Sequence, residues 1–107
     1  MQSRNWDRDR DDDTLVKWWN DWEFGKVPKE CLPPEGIIIE DNGKPLCAGG
    51  LYIGEGTQFG FMEWIVTDKH ADSRKMHKAL KMCIDSIMAK AKSMRLKLVY
   101  TATKEQA

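Results

Sequence analysis

The chain has 107 residues, 41% of them hydrophobic, with 17 Lys/Arg against 17 Asp/Glu and a formal net charge of zero. That length suits one domain spanning residues 1–107 with a single modest core, and the charge balance singles out no class of partner. No apolar run approaches the roughly 20 residues of a membrane span, and the N-terminus is too charged for a signal peptide. Cys31, Cys47 and Cys83 are odd in number and lack CxxC spacing, so they read as reduced cytosolic thiols, neither a disulfide frame nor a metal site.

Residues 2–13 are polar, with a short edge strand expected near Ser3–Trp6. Asp12 or Asp13 can cap a helix from Thr14 to about Glu23, whose stripe is Leu15, Trp18, Trp19 and Trp22. Tryptophans at this spacing read as core, or else as a surface for a partner. Gly25 is expected to end the helix, and a proline-restricted loop follows from Val27 to Gly36.

Ile37–Glu40 reads as a strand, Asp41-Asn42-Gly43-Lys44 as a hairpin turn, and Leu46–Ile53 as the return strand. Gly49-Gly50 inside that strand points to a bulge or the close approach of another backbone. Gly54–Thr57 turns the chain into a third strand, Phe59–Thr67, rich in aromatic and β-branched residues. Strict alternation would put Glu63, Ile65 and Thr67 on one face, with Met62, Trp64 and Val66 on the other.

A helix from about Ser73 to about Met94 follows, with Met76, Ala79, Leu80, Cys83, Ile84, Ile87, Met88 and Ala91 on one face. Leu96–Thr101 closes the pattern as a strand parallel to the third, through a right-handed crossover. The sequence therefore predicts an α+β domain, an antiparallel three-strand meander followed by a β-α-β crossover.

The start of the long helix carries the functional signal. Arg74, Lys75, His77 and Lys78 crowd its opening turns behind Lys69 and His70, and Asp72 or Ser73 can cap it. Cations at a helix N-terminus are each unfavourable by roughly 0.3–1 kcal/mol. A bound anion, phosphate above all, would reverse that sign by adding its charge to free backbone N–H groups. A solvated basic surface is the alternative. From Arg74 to Lys97 there are eight Lys/Arg against one acid, Asp85, whereas Met1–Phe24 leans acidic. The helix lacks the interleaved aromatics of a nucleic-acid binder.

Taken together, the order of elements resembles the core of the GNAT superfamily of acetyl-CoA-dependent N-acetyltransferases. The likeness extends to a phage-encoded subgroup through Trp18-Trp19-Asn20-Asp21-Trp22, Leu32-Pro33-Pro34-Glu35-Gly36, Gly49-Gly50-Leu51-Tyr52, Met62-Glu63-Trp64-Ile65-Val66, the Arg-containing helix start and Ala91-Lys92. It covers roughly residues 14–103. The resemblance implies a splayed parallel strand pair and acetyl-CoA as cosubstrate. Its pyrophosphate would lie on the loop and helix start at Ser73, Arg74, Lys75, Met76, His77 and Lys78. Its pantetheine arm would pair with the backbone of Ile65, Val66 and Thr67, in the manner of an added strand. The superfamily's Arg/Gln-x-x-Gly-x-Gly/Ala pattern falls on Asp72–His77, with Asp72, Lys75 and His77 where the pattern has Arg/Gln and the two glycines.

Glu63 is the candidate base for removing a proton from an amine acceptor, or else a solvent-facing or paired strand residue. His70 and His77 neighbour the anion loop. The superfamily's further C-terminal helix and strand pair, which often carry a thiolate-protonating Tyr, would be missing, so the resemblance also admits an inactive GNAT-like protein that binds a host or virion protein. A cytoplasmic location, no membrane, no nucleic acid, no metal, and a homodimer through the edge beyond the last strand complete the expectations.

Overall fold

A computed structural model describes residues 1–25 and 27–101; the remainder of the expected 1–107 domain, and residues 102–103 of the expected likeness, lie outside the described residues. The elements in order are β1 (Gln2–Asn5), α1 (Asp12–Asp21), a short 3-10 turn (Lys29–Cys31), β2 (Glu35–Asp41), β3 (Lys44–Ile53), β4 (Phe59–Thr67), α2 (Ser73–Ser93) and β5 (Leu98–Thr101). They form one sheet in the order β1-β2-β3-β4-β5, antiparallel except for the parallel β4–β5 pair. The α+β reading holds. The meander has four strands rather than three, because β1 pairs with β2 from Gln2↔Glu40 to Asn5↔Ile37.

The two helices cover opposite faces. On one, Ile37, Ile39, Cys47, Leu51 and Met62 of the sheet meet Ala79, Cys83, Ile87 and Ala91 of α2. On the other, Trp6, Leu15, Trp18 and Trp19 pack with Leu32, Ile38, Ala48 and Val66. Trp18 and Trp19 are therefore core, while Trp22 remains 40% exposed. Met88, expected on the apolar face of α2, is 43% exposed. It falls one position past Ile87, off the line that meets the sheet.

Three helix ends differ from expectation by one or two residues. The α1 N-cap position is Asp11, whose carboxylate binds Arg4 and the Asp7 amide instead of capping its own helix. Glu23 at φ 60 ends α1 in place of Gly25, with Phe24 N–H on Trp19 O (2.7 Å) and Glu23 N–H on Asn20 O (3.0 Å). Arg95 at φ 61 does the same for α2, with Leu96 N–H on Ala91 O (3.0 Å). Both are Schellman ends, built on a charged residue where glycine is commonest. The second consumes Leu96 in the cap, so β5 starts at Leu98 and not at 96.

Gly49-Gly50 answers the other open alternative. A Cβ on Gly49 would lie 2.8 Å from Ile87 Cδ1, and one on Gly50 2.7 Å from the Trp6 ring. Both positions thus let the two layers close onto the sheet. The bulge itself is on β4: Ala48 pairs with Val66 and Gly50 with Glu63, so Trp64 and Ile65 together oppose Gly49. Trp64 takes φ 60, the left-handed conformation of a bulge residue. The extra residue breaks strict alternation. Met62 and Ile65 both face α2, and Trp64 and Val66 both join the α1 side.

Candidate functional site

The bulge bends β4 where its partnership with β5 stops. Parallel pairs run from Phe59↔Leu98 to Met62↔Thr101, so among the described residues Glu63–Thr67 have no strand on that edge. This is the splayed pair the resemblance implied. Asp68 N–H donates to Leu46 O of β3 at 2.8 Å, so by alternation the Thr67 N–H and C=O point to the open edge. That carbonyl accepts the Trp22 indole N–H at 2.9 Å.

The bulge is held from the α1 side. Trp64 Nε1–H donates to the Tyr52 hydroxyl at 2.6 Å, and that hydroxyl donates to the Cys31 carbonyl at 2.6 Å. The Trp64 ring meets Trp19 edge-on, with centroids 6.3 Å apart. A tryptophan in left-handed backbone carries steric strain, and these contacts offset it. Glu63 is half-buried on the same side and opposes Gly50, which presents no side chain.

Past β4, Asp68 shapes the turn by accepting His70 N–H at 3.0 Å and, through its carbonyl, Ala71 N–H at 3.2 Å. Asp72 then caps α2 by accepting Lys75 N–H at 3.2 Å. Lys75 Nζ reaches back 2.8 Å to Asp41 on the β2–β3 hairpin. That hydrogen bond raises the lysine above its ordinary value and holds the Asp41 carboxyl below its own. Ser73, Arg74, His77 and Lys78 are exposed and Met76 is half-buried against the α2-side core. Among the described residues, Arg74, His77 and Lys78 have no ionic partner, and the Ser73 and Arg74 amides have no acceptor. His70 lies 3.7 Å from Asp21, while Lys69 reaches the Asp21 carbonyl at 3.1 Å and lies 5.2 Å from the centre of the Trp22 ring.

The fold therefore brings the open β4 edge and the cationic helix start to the two ends of one five-residue turn, with Glu63 farther back along β4. Sequence reasoning passed over Tyr52 and gave Trp22 no role at this edge. The indole and phenol polar atoms act across 45 and 12 residues of separation, which periodicity does not report. Ile65, Val66 and Thr67 lie on the stretch of β4 beyond its pairing with β5, with Val66 buried in the α1-side core. The bulge separates Glu63, on the α1 side opposite Gly50, from Ile65, on the α2 side, where strict alternation would have put them on one face.

No protein-family model and no curated protein matches the sequence. Solved structures do match in fold. Rv2747 from Mycobacterium tuberculosis, in complex with CoA, superposes with a TM-score of 0.77 at 17% identity, over 98% of this chain and 66% of that one. The aminoglycoside 6'-N-acetyltransferase from Enterococcus faecium gives 0.74 at 14% identity, over 94% and 61%. Glucosamine-6-phosphate N-acetyltransferase from Arabidopsis thaliana gives 0.65 at 15%, over 96% and 82%. The chain thus has the GNAT-type fold of these structures and spans 66% and 61% of the length of the first two.

Proposed function

We propose that this chain is an N-acyltransferase that moves acetyl from acetyl-CoA to an amine of a protein or small molecule. The observation that carries the reading is the bulged, splayed β4 leading directly into an exposed, cation-rich helix start.

The fit of the cosubstrate rests on the chain's own groups. The unpartnered amides of Ser73 and Arg74, with Arg74, His77 and Lys78 beside them, suit a diphosphate at the start of α2. The backbone of Ile65, Val66 and Thr67 suits an extended arm lying along the open edge. Two features oppose a tight fit: the Asp72 carboxylate already holds the Lys75 amide, and Lys75 is held by Asp41. Affinity for CoA is therefore set by Arg74 and the free amides rather than by Lys75.

Bound acetyl-CoA would supply an activated acetyl thioester. Glu63 takes a proton from the acceptor amine, making its lone pair available for attack. A β4 backbone N–H donates to the oxygen that gains negative charge as the N–C bond forms. The C–S bond then breaks and the thiolate leaves, to be protonated from solvent. In this reading the protein is phage-encoded and works in the host cytoplasm without a metal.

Calorimetry with CoA tests the reading. Binding that Arg74→Glu abolishes supports it, and no heat at millimolar CoA overturns it. The Asp72 and Trp22 contacts, which fill ligand-facing positions with the protein's own groups, favour one alternative: a catalytically inactive GNAT-like protein that binds a host or virion protein. A stoichiometric partner that survives Arg74→Glu, together with no CoA binding, would establish it.

A further inference from the structure

We propose that the outer edge of β5 docks an extended segment of another protein as an added strand of the sheet, and that the side chains of this segment alternate between apolar and acidic. The inference concerns a protein partner and is independent of whether CoA binds.

β5 ends the sheet order, so its outer edge has no neighbour among the described residues. Leu98 stands in register with Phe59 and donates its N–H to Gln58 O at 3.4 Å. By alternation the N–H and C=O groups of Val99 and Thr101 point to the outer side. Unpaired groups in that row are a template for one more strand.

Apolar surface gathers at the same place. Of the eight large apolar side chains exposed among the described residues, five belong here. Leu98 and Tyr100 lie on β5 itself, 51% and 54% exposed. Met88 is on the last two turns of α2 and Met94 is its C-cap. Ile53 is in line with Val99 through Gly60. Val99 packs into the α2-side core, so Leu98 and Tyr100 share the opposite face, where the Tyr100 and Phe59 rings lie 5.4 Å apart at 53°. Apolar side chains grouped along an unpaired edge mark an interaction surface.

Charge chooses the occupant. From Ser86 to Thr101 the chain carries Lys90, Lys92, Arg95 and Lys97 and no acid. Lys90 is taken by Glu35 and Asn5. Lys92, Arg95 and Lys97 are exposed and have no ionic partner among the described residues. A second copy would bring the same cations to this edge and no acid to answer them. A lipid surface or a phosphate backbone would leave the outward carbonyls of Val99 and Thr101 unanswered, whereas an extended peptide supplies both donors and acceptors. Helix α2 overlies the Val99 face and carries Lys92 and, just past its C-cap, Arg95. The segment that fits therefore lays apolar side chains beside Leu98 and Tyr100 and turns carboxylates to the other face, toward those cations. That is the period of two of a strand.

An acetylated, amidated heptapeptide of alternating glutamate and valine, titrated into the full chain by calorimetry and followed through the Val99 and Thr101 amide signals in NMR, tests the proposal. Binding that shifts both signals is expected. Thr101→Pro removes one outward N–H and should weaken the peptide by about tenfold. Lys97→Glu, at an exposed position, should weaken it by about tenfold through reversed charge, and by less at high salt. The matching peptide of lysine and valine should bind about tenfold more weakly to the wild-type chain. No heat at millimolar peptide, equal binding of the two peptides, or binding indifferent to either substitution overturns the proposal. A wild-type dimer in sedimentation that Thr101→Pro dissociates would assign the edge to a second copy and overturn it as well.

Discussion

The indole N–H of Trp22 donates to the Thr67 carbonyl at 2.9 Å, tying the end of α1 to the open edge of β4. That carbonyl is one that an added strand, or the amide N–H of an extended ligand arm, would otherwise use. Trp22→Phe keeps the ring and removes the donor. CoA is expected to bind a few-fold more tightly to the variant, while folding stability falls by about 1 kcal/mol for one lost hydrogen bond. Calorimetry and urea unfolding measure the two effects. Unchanged or weaker CoA binding would show that Trp22 does not compete for the edge.

Tyr52 links the bulge to the 3-10 turn through one oxygen, accepting from Trp64 and donating to Cys31 O, each at 2.6 Å. Tyr52→Phe leaves the part-buried Trp64 N–H without its partner, while the exposed Cys31 carbonyl turns to water, which should cost about 1 kcal/mol. Chemical denaturation of Tyr52→Phe, Trp64→Phe and the double variant gives the coupling. A coupling under about 0.5 kcal/mol would mean the chain does not hold the bulge.

The elements with strong periodicity were legible in the sequence. The α2 start at Ser73, the Phe59–Thr67 strand, the Asn42-Gly43 turn and the parallel return strand all follow from spacing and turn chemistry, and together they give the fold class. What stayed hidden depends on register. Trp64 is a poor candidate for positive φ by residue type, and its extra place in β4 shows only once Ala48 and Gly50 have been paired with Val66 and Glu63. The same is true of charge at the helix start. The cations were visible in the sequence, but the Lys75–Asp41 pair spans 34 residues. Asp72 reads as a cap in the sequence, and the structure shows its carboxylate accepting Lys75 N–H, one of the amides an anion at this end would otherwise use. Glu23 and Arg95 in left-handed caps show that a helix can end on position rather than on glycine.

Gly49 opposes the bulge and leaves no room for a side chain. Its added Cβ would approach Ile87 Cδ1 to 2.8 Å, Ile65 Cγ1 to 3.2 Å and Cys83 Sγ to 3.3 Å. Ile87 and Cys83 are fully buried, so neither has space to retreat. Gly49→Ala is expected to cost about 1–3 kcal/mol by overpacking, read as a lower unfolding midpoint at unchanged denaturant slope. A neutral result would mean α2 can shift outward without penalty.

Acid should weaken the N-terminal strand through Asp11. Burial pushes its carboxyl up, but the Arg4 hydrogen bond, the Asp7 amide and the Arg4 charge together outweigh burial and hold it below the ordinary carboxylate range. Arg4 binds both carboxylate oxygens, at 2.8 and 2.9 Å. Its Nε lies 3.1 Å from Glu40, close enough for charge attraction though not aligned for a hydrogen bond. A depressed carboxyl binds fewer protons folded than unfolded, so its stabilisation is complete above the ordinary value, about pH 4. It is lost as pH falls through the folded value. Asp11→Asn should lower stability at pH 7 and flatten the acid limb of the stability profile. An acid limb as steep as wild type would place the effect elsewhere.

Asp72 sets two demands against each other at the start of α2. Its carboxylate accepts Lys75 N–H at 3.2 Å, which stabilises the helix, and its charge stands beside the amides that a diphosphate would need. Asp72→Ser separates the two, because serine caps about as well as aspartate and carries no charge. Stability should therefore change by no more than about 0.5 kcal/mol, while CoA affinity rises several-fold, most clearly at low salt where repulsion is least screened. Asp72→Ala, without a capping oxygen, should gain similar affinity but lose about 1 kcal/mol of stability. Calorimetry at low and high salt, paired with thermal unfolding, resolves the two effects. If both variants bind CoA as wild type does, the carboxylate is not in the anion's way, and the phosphates would have to lie farther along the helix, toward Arg74 and Lys78.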